Sequence, residues 1–138
     1  MSGNILVVYK KNFEDVHDKA LDEVRNTLES LSNDMSIVVD YSAREKVNRA
    51  DFIGRDLVVV LGGDGTLTSI AHSVDENTPV MGVNSHPREL DNDGSYGFYM
   101  GSDPSNFKED INRALAGEAI VNVLPRLQAE IFTTSGNV

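Results

Sequence analysis

Residues 56–67, DLVVVLGGDGTL, contain the strongest structural signal in the chain. The consecutive apolar residues 57–61 are typical of a strand that is covered on both faces of a parallel sheet. Three glycines follow within positions 62–65, and a helical pattern of apolar residues begins at Leu67. Glycines allow positive φ and a close approach of the backbone to a ligand. The segment therefore predicts a strand, a glycine turn and a helix, with turn amides that suit an anion such as phosphate.

The rest of the chain alternates in the same way between short apolar runs and amphipathic stretches. Further strands are predicted at 5–9, 37–39, 79–84, 96–100, 120–124 and 126–132. Helices are predicted at 13–31, 43–50, 67–74 and 103–116, from helical spacing and from N-cap signals at Ser42 and Asp103. This order predicts an α/β fold, a Rossmann-like open and mostly parallel sheet with helices on both faces. Ligand sites in such sheets lie beyond the carboxyl ends of the strands, here after Leu61 and Val83.

Composition and charge exclude several classes of protein. The 138 residues suffice for one domain, and 40% hydrophobic with 25% charged residues is ordinary for a globular protein. The absence of cysteine excludes disulfides, a thiol nucleophile and thiolate metal sites. The 12 basic and 22 acidic residues give a net charge of -10, which disfavours nucleic acid and anionic membranes as partners. No apolar run approaches the ~18 residues of a membrane span and no signal pattern is present, so we expect a cytoplasmic protein.

Asp64 is the unusual residue of the glycine turn. A carboxylate among phosphate-binding amides repels the ligand unless it binds a cation or takes a proton from an attacking hydroxyl group. Both uses point to phosphoryl transfer, in which catalysis is mainly positioning and charge stabilisation. The turn is not a P-loop, because no Gly-Lys-Ser/Thr follows, and Thr68 stands where the dinucleotide motif needs a third glycine. The alternative is a turn with a capping aspartate and no ligand, for which three glycines in four positions are excessive.

Two segments resemble those of a known enzyme family. Residues 56–67 resemble the signature that NAD kinases share with diacylglycerol and sphingosine kinases and, more distantly, with 6-phosphofructokinases. Residues 79–85, PVMGVNS, favour the NAD kinases, which have Pro-x-x-Gly-Val-Asn at this place, whereas lipid kinases have Pro-x-Gly-Thr-x-Asn-Asp. The loop 84–87 is most similar to that of mitochondrial-type NAD kinases and their bacterial and archaeal relatives. Residues 126–131 resemble the first strand of the family's second, all-β domain.

The resemblance also implies how the chain is divided. An α/β nucleotide-binding domain is expected at 1–118 and the beginning of a truncated β domain at 119–138. The last two predicted strands are separated by one proline and end in a turn signal that no strand follows. We therefore expect the natural chain to continue beyond Val138 and to include there the family's Asn-Glu/Asp motif. The chain alone is expected to show weak or no turnover and to form a homo-oligomer through the apolar edge of its last strands.

The activity that the resemblance implies is phosphorylation of NAD at its adenosine 2'-hydroxyl to give NADP, with ATP or polyphosphate as donor and with Mg²⁺ bound together with ATP. Asp64 matches the family's catalytic base, and Asn84 matches a polar residue of the nucleotide cleft. Ser69 is included among the nucleotide-binding residues at a position where many members have Arg or His, so a phosphate contact is missing there or supplied elsewhere. The residues that match the phosphate-holding loop are Gly62, Gly63, Gly65 and Thr66.

Position alone points to one basic residue, and two other functions stay open. Lys10 is the basic group best placed to contact phosphate, because it leaves the first strand at its carboxyl end. The other functions are a lipid or diacylglycerol-type kinase with the same turn, and a non-catalytic nucleotide-binding domain. Among the remaining candidates, His72 is expected to be solvated, His17 to pack beside the first helix, and Tyr99 to pack rather than stack on a base. His86 follows Asn84 and could reach the cleft, but a loop residue before proline is more often merely exposed.

Overall fold

The computed structural model describes residues 2–11, 15–88, 94, 97 and 99–119. Within these residues, four strands and three α-helices follow one another, with short 3₁₀ helices at Arg49–Phe52 and Ala71–Ser73. The strands are β1 (Ser2–Tyr9), β2 (Ser36–Ala43), β3 (Leu57–Gly62) and β4 (Val80–Asn84). The helices are α1 (Asp15–Ser32), α2 (Asp64–Ile70) and α3 (Phe107–Leu115).

The four strands form one parallel sheet in the order β2-β1-β3-β4. Ile5 of β1 pairs with Leu57 of β3, and Val58 of β3 pairs with Val80 of β4. The strand order reverses between β1 and β3, which makes the carboxyl ends of these two strands the topological switch point. The predicted Rossmann-like α/β fold is confirmed, and the glycine turn after β3 lies at the point where such sheets bind ligands.

β3 is the central element of the core, because all six of its residues are buried. Alternate residues face opposite sides of the sheet, so Val59 lies in one cluster with α1 and α3, while Val58 and Val60 lie in a second cluster with Phe52 of the first 3₁₀ helix and Ile70 of α2. This arrangement confirms that the continuous apolar run 57–61 is a strand covered on both faces. Full burial of a side chain of this size stabilises the fold by roughly 1.5–3 kcal/mol.

The first helix follows its predicted pattern. Ala20, Val24, Leu28 and Leu31 recur every three or four residues and are buried against β1, β2 and β3. Charged residues occupy the positions between them and face solvent. The predicted start at Phe13 lies outside the described residues, and α1 continues one residue past the predicted end.

The predicted helix over 43–50 is wrong. Ser42 and Ala43 remain in β2, whose pairing with β1 extends to Tyr9 opposite Ala43. A turn follows, and a short 3₁₀ helix then begins after Asn48, whose Oδ1 accepts a 3.0 Å hydrogen bond from the Ala50 amide. The local N-cap signal at Ser42 was therefore outweighed by the extension of the strand ladder, and the capping box forms six residues later.

The start of the last described helix also differs from the prediction. Asp103 does not cap α3: its carboxylate accepts a hydrogen bond of 2.8 Å from the Ser105 amide, while Asn106 Oδ1 accepts one of 2.8 Å from the Asp103 amide. These two bonds close a separate turn, so α3 begins at Phe107. Its end is as predicted, because Gly117 follows with φ of 75°.

The strand predicted at 96–100 is wrong for the described part of that segment. Gly97, Tyr99 and Met100 lie in a turn, and the pairing with β4 is made instead by Ser102, which bridges Val83 in parallel. Residues 96 and 98 lie outside the described ranges, as do the strands predicted at 120–124 and 126–132. The division of the chain at residue 118 therefore stays a prediction.

Candidate functional site

The turn after β3 is made of glycines for a different reason from the one predicted. None of Gly62, Gly63 and Gly65 has positive φ, and Gly63 is an extended N-cap residue with φ of -119°. A Cβ atom at Gly62 would overlap Thr66 Oγ1 and would lie 2.9 Å from Thr66 Cβ. A Cβ atom at Gly65 would meet nothing within 4 Å. Gly62 is therefore required by the close approach of Thr66 on α2, a packing reason that the sequence did not indicate.

Thr66 occupies the space that this glycine leaves. Its side chain is 1% exposed, and its Oγ1 has no hydrogen-bond partner within the described ranges. The Thr66 amide donates to Gly63 O at 3.0 Å, which closes the first turn of α2. The hydroxyl of Thr66 thus faces Gly62 inside the fold. The buried Thr66 side chain therefore helps to hold the glycine turn in this conformation.

Asp64 is the first residue of α2 and is half-buried at the carboxyl edge of the sheet. Its Oδ1 accepts a hydrogen bond of 2.8 Å from the backbone amide of Tyr99, which lies 35 residues further along the chain. The amides of Gly63 and Gly65 have no backbone acceptor within the described part of the chain. The turn therefore combines one oriented carboxylate with amide donors, as a site for a phosphorylated ligand and a reactive hydroxyl requires.

The end of β4 lies beside the turn and contains a buried polar group. Asn84 is 5% exposed, its amide donates to Ser102 O at 2.7 Å, and its Oδ1 accepts from the His86 amide at 3.1 Å. The Ser85 amide donates to Gly62 O at 3.0 Å, which ties the end of β4 to the glycine turn. The two turns that follow β3 and β4 are thereby joined into one local structure.

A histidine of α1 completes this local structure. His17 Nδ1 lies 2.6 Å from Ser85 Oγ, and both residues are buried. The rings of His17 and His86 are 6.0 Å apart in an edge-on arrangement. The prediction that His17 packs is confirmed by its burial, but sequence reasoning missed its bond to Ser85. A histidine on the edge of an apolar helical stripe is the one signal that pointed to a buried polar contact.

Lys10 and Ser69 differ in where they lie relative to the glycine turn. The Lys10 amide donates to Leu61 O at 2.9 Å, so the backbone of Lys10 runs directly beside the end of β3. Ser69 lies one helical turn beyond Asp64 and its Oγ donates to Thr66 O at 2.7 Å. The structure thus brings Lys10, Asn84 and the glycine turn together at one edge of the sheet, with Ser69 further along α2.

Two of the remaining expectations are tested by exposure. His72 is exposed, as predicted. Tyr99 was predicted to pack, which is wrong, because 52% of its side chain is exposed. Its neighbour Met100 is buried and occupies the core position instead.

A separate cavity lies at the opposite edge of the sheet. Its volume is about 240 Å³, and it is lined by α1 and β2 residues, which are Leu28, Glu29, Ser32, Ile37, Val39 and Tyr41. Burial raises the pKa of the Tyr41 phenol above 10.0, an effect that the charge of Arg25 opposes and that of Glu29 supports. The Arg25 guanidinium lies 4.7 Å from the centre of the Tyr41 ring. None of the predicted site residues lines this cavity.

The described residues contain no group of three or more His, Cys, Asp or Glu side chains placed to hold a metal ion. No helix within the described ranges has the length and hydropathy needed to span a bilayer.

Comparison with known proteins identifies similar chains. The family model described as the ATP-NAD kinase N-terminal domain matches residues 5–119. An NADH kinase of Arabidopsis thaliana is 29% identical over 86 residues, which are 55% of this chain and 27% of that protein. An NAD kinase of Syntrophobacter fumaroxidans is 38% identical over 74 residues, or 53% of this chain and 23% of that protein. An NAD kinase of Methanosarcina mazei is 27% identical over 121 residues, or 83% of this chain and 38% of that protein.

The match to these relatives is partial in length. The chain spans between 23% and 38% of the three curated relatives named above. Among solved structures, a Streptococcus pneumonia TIGR4 flavodoxin matches with a TM-score of 0.41 and 17% identity, covering 83% of this chain and 76% of that chain.

Proposed function

The chain belongs to the NAD kinase family through its ATP-NAD kinase N-terminal domain, and on this premise we propose that it is the N-terminal α/β part of a kinase that phosphorylates NAD. The enzyme would transfer the γ-phosphoryl group of ATP, or a phosphoryl group of polyphosphate, to the adenosine 2'-hydroxyl of NAD to give NADP. The names of the relatives, NAD kinase and NADH kinase, support a dinucleotide acceptor. The open alternatives, a lipid kinase and a non-catalytic nucleotide-binding domain, have no such support.

The observation on which the proposal rests is the position of Asp64. Its carboxylate stands at the topological switch point, directly after two glycines and half-exposed at the carboxyl edge of a parallel sheet. Its Oδ1 accepts a hydrogen bond of 2.8 Å from the backbone amide of Tyr99. A carboxylate in this place is a group that can accept a proton next to bound phosphates.

In the proposed reaction, Asp64 takes the proton of the 2'-hydroxyl while the hydroxyl oxygen attacks the γ-phosphorus of ATP. The bond between that phosphorus and the bridging oxygen breaks, and ADP leaves with the electron pair. General base catalysis of this kind contributes about 10²–10⁴-fold to a rate. The larger part comes from holding donor and acceptor in line, because phosphoryl transfer depends chiefly on positioning and charge stabilisation.

The residues around Asp64 have separate roles in this proposal. The amides of Gly63 and Gly65 and the ammonium group of Lys10 would contact phosphate oxygens, since all are donors at the same sheet edge. Asn84 would line the nucleotide cleft, with its side chain oriented by the His86 amide. Ser69 would contribute least, because its hydroxyl already donates within α2.

The donor set fits Mg²⁺ that arrives with the nucleotide. Mg²⁺ is usually bound through one or two carboxylates together with substrate phosphates and water. Asp64 supplies one carboxylate, and the described residues contain no cluster that would hold the ion alone. When bound, Mg²⁺ would neutralise the charge that develops on the phosphate oxygens.

We propose the cytoplasm as the location of the enzyme. The net charge of -10 and the absence of cysteine are consistent with the cytoplasm as its location. The same charge disfavours nucleic acid as a partner, and the match to the ATP-NAD kinase N-terminal domain supports NAD and ATP as the substrates. We also propose self-association as a homo-oligomer.

The direct test uses the complete gene product with ATP, Mg²⁺ and NAD, and measures NADP with an NADP-specific dehydrogenase. The same protein is then assayed with diacylglycerol as acceptor. NADP formation with no lipid phosphorylation is the expected result. Phosphorylation of the lipid alone would establish the lipid-kinase alternative, and the binding of ATP without turnover on either acceptor would establish the non-catalytic one.

A further inference from the structure

A hydrogen bond from a backbone amide orients the carboxylate of Asp64. We infer that the segment that crosses the carboxyl end of β4 fixes this carboxylate in position through a backbone amide. We call Gly97, Tyr99, Met100 and Ser102 the crossing segment. The inference rests on the proposed function and deepens it, because it assigns the positioning role to main chain that is distant in sequence from the glycine turn.

The contact itself is a short charge-assisted hydrogen bond. The Tyr99 amide donates to Asp64 Oδ1 at 2.8 Å. Hydrogen bonds from amides to ionised carboxylates are stronger than those between neutral groups. Because a backbone donor cannot rotate away, this bond restricts the torsions of the Asp64 side chain as long as the crossing segment stays in place.

One end of the crossing segment is fixed to the sheet and to α3. The Ser102 amide donates to Gly82 O at 3.0 Å, and the Asn84 amide donates to Ser102 O at 2.7 Å. Ser102 Oγ also donates to the carboxylate of Asp110 on α3. Three hydrogen bonds therefore hold Ser102, which lies only three residues from the Tyr99 amide.

The middle of the crossing segment is held by packing on β4. Met100 is 8% exposed and belongs to the core cluster on the second face of the sheet. Gly82 has no side chain, and this allows the approach: a Cβ atom there would lie 2.5 Å from Met100 Sδ and 2.8 Å from Tyr99 O. Glycine at position 82 thus allows the Tyr99 backbone to lie in close contact with β4.

Gly97 fixes the other end of the crossing segment against Asn84. It has φ of 67°, which favours glycine, and its Cβ atom would lie 2.5 Å from Asn84 Nδ2. The Met100 amide donates back to Gly97 O at 3.1 Å and closes the turn that contains Tyr99. The position of the Tyr99 amide is therefore determined by two glycines that do not belong to the glycine turn.

The chemical consequence concerns the rate and not the binding of nucleotide. A general base must lie within hydrogen-bond reach of the proton that it removes, and a misplacement of about 1 Å can cost about 10²-fold in rate. The donors proposed to bind phosphate lie in the glycine turn and on β1, outside the crossing segment. Displacing the crossing segment should therefore lower kcat and leave KM for ATP nearly unchanged.

The experiment uses the complete gene product with Gly82→Ala as the test variant and Gly3→Ala as its control. Both glycines lie in strands, but a Cβ atom at Gly3 would only approach Ile37 Cγ2 at 3.8 Å. We expect Gly82→Ala to lower kcat at least tenfold with KM for ATP within about twofold, and Gly3→Ala to change neither. Hydrogen exchange of the Tyr99 amide, followed by NMR in the 138-residue chain, should become faster in Gly82→Ala only.

A second pair keeps the test valid if Gly82→Ala does not fold. Gly97→Ala is expected to expose the Tyr99 amide and lower kcat, and only kcat is compared here, because its Cβ atom would also overlap Asn84 Nδ2 in the proposed nucleotide cleft. Its control is Gly54→Ala, because Gly54 also has positive φ, 76°, but a Cβ atom there would meet nothing within 4 Å. Both substitutions place alanine at positive φ and therefore strain the backbone. If the two variants lose a similar amount of Tm while kcat falls only in Gly97→Ala, the loss of kcat comes from positioning and not from general destabilisation.

The outcomes distinguish this inference from the proposed function. Unchanged kcat in a variant whose Tyr99 amide exchanges faster would overturn the inference, because the bond would then only anchor the crossing segment. An unchanged exchange rate in both variants would overturn the role of the two glycines. Absence of NADP formation by the unmodified complete gene product would overturn the proposed function instead, whatever the exchange rates show.

Discussion

His17 and Ser85, which are 68 residues apart in sequence, meet at the carboxyl edge of the sheet with 2.6 Å between Nδ1 and Oγ. The bond joins α1 to the residue that follows β4, and the Ser85 amide in turn donates to Gly62 O. One buried polar contact therefore links the first helix to the glycine turn. Because both side chains are buried, the loss of either partner removes a hydrogen bond that bulk water can replace only poorly.

The first prediction concerns this pair. Ser85→Ala should lower the free energy of unfolding by about 1–3 kcal/mol, since a buried group loses its partner. Ser30→Ala, at an exposed position of α1, should change it by less than about 0.5 kcal/mol. Urea denaturation of both variants and of His17→Ala measures the effect. Equal stability of Ser85→Ala and the unmodified protein would show that the contact contributes nothing.

The second prediction concerns Gly62 and Thr66. Gly62→Ala should destabilise the protein by about 1–3 kcal/mol, because the added Cβ atom overlaps Thr66 Oγ1. In a Thr66→Ala background the loss should be smaller by at least about 0.5 kcal/mol, although Thr66 Cβ would still lie 2.9 Å away. Gly65→Ala is the control, because its Cβ atom meets nothing within 4 Å and alanine suits a helix. Additive losses for Gly62→Ala and Thr66→Ala would contradict the packing explanation.

Patterns that depend on neighbouring residues were enough to predict most of the fold. The apolar run 57–61 and the stripe of α1 were predicted correctly, because burial on one or two faces directly determines the spacing of apolar residues. The helix predicted at 43–50 was wrong because a cap signal is local, whereas the length of β2 is determined by pairing with β1. The start of α3 was predicted too early for a related reason. The Asp103 carboxylate accepts a bond from the Ser105 amide and the Asp103 amide donates to Asn106 Oδ1, so these residues form a separate turn before the helix.

The central residues of the site could be predicted from the sequence, but the groups that hold them in place could not. Asp64 and its glycines are adjacent in sequence, so their chemistry could be inferred before any contact was known. The Tyr99 amide and the His17 ring reach the site from segments far away in sequence. No periodic or local pattern specifies a backbone amide that bonds a side chain 35 residues away. The reason for Gly62 was equally hidden, because the clash with Thr66 exists only once the helix has formed.

The third prediction concerns Tyr41 and alkaline pH. Burial raises the pKa of Tyr41 in the folded chain above the 10.0 of an exposed tyrosine, so below pH 10 both states hold the proton and stability is complete. As pH rises above 10, the unfolded chain ionises first, and stability falls until the folded Tyr41 ionises as well. Tyr41→Phe should remove this part of the alkaline loss. Urea denaturation between pH 8 and pH 11 measures it, and an identical alkaline slope in both proteins would contradict the prediction.

The fourth prediction concerns the same residue at neutral pH. Tyr41 Oη is buried, and no group in the described part of the chain, the Arg25 guanidinium beside it included, bonds to it in good geometry. Removing an unsatisfied buried hydroxyl is expected to stabilise the protein, so Tyr41→Phe should raise the free energy of unfolding by about 1 kcal/mol at pH 7. The Arg25 guanidinium keeps its contact with the ring, because phenylalanine offers the same face. Tyr99→Phe is the control at an exposed position, and a loss of stability in Tyr41→Phe would show that the hydroxyl has a partner in solution.

The fifth prediction concerns Asp64 in the complete gene product. Asp64→Asn keeps an oxygen that can accept the hydrogen bond of the Tyr99 amide, so the fold and the crossing segment should persist. The amide cannot take a proton, and kcat for NADP formation should fall by about 10²–10⁴-fold. KM for ATP should rise by less than kcat falls, because Asp64 is proposed as only one ligand of Mg²⁺ while the phosphate contacts come from the turn amides and Lys10. Asp34→Asn, at an exposed turn after α1, removes the same charge elsewhere and should leave kcat unchanged. Retention of kcat within a few-fold in Asp64→Asn would show that the proton leaves by another route, and the assignment of Asp64 as the base would then be wrong.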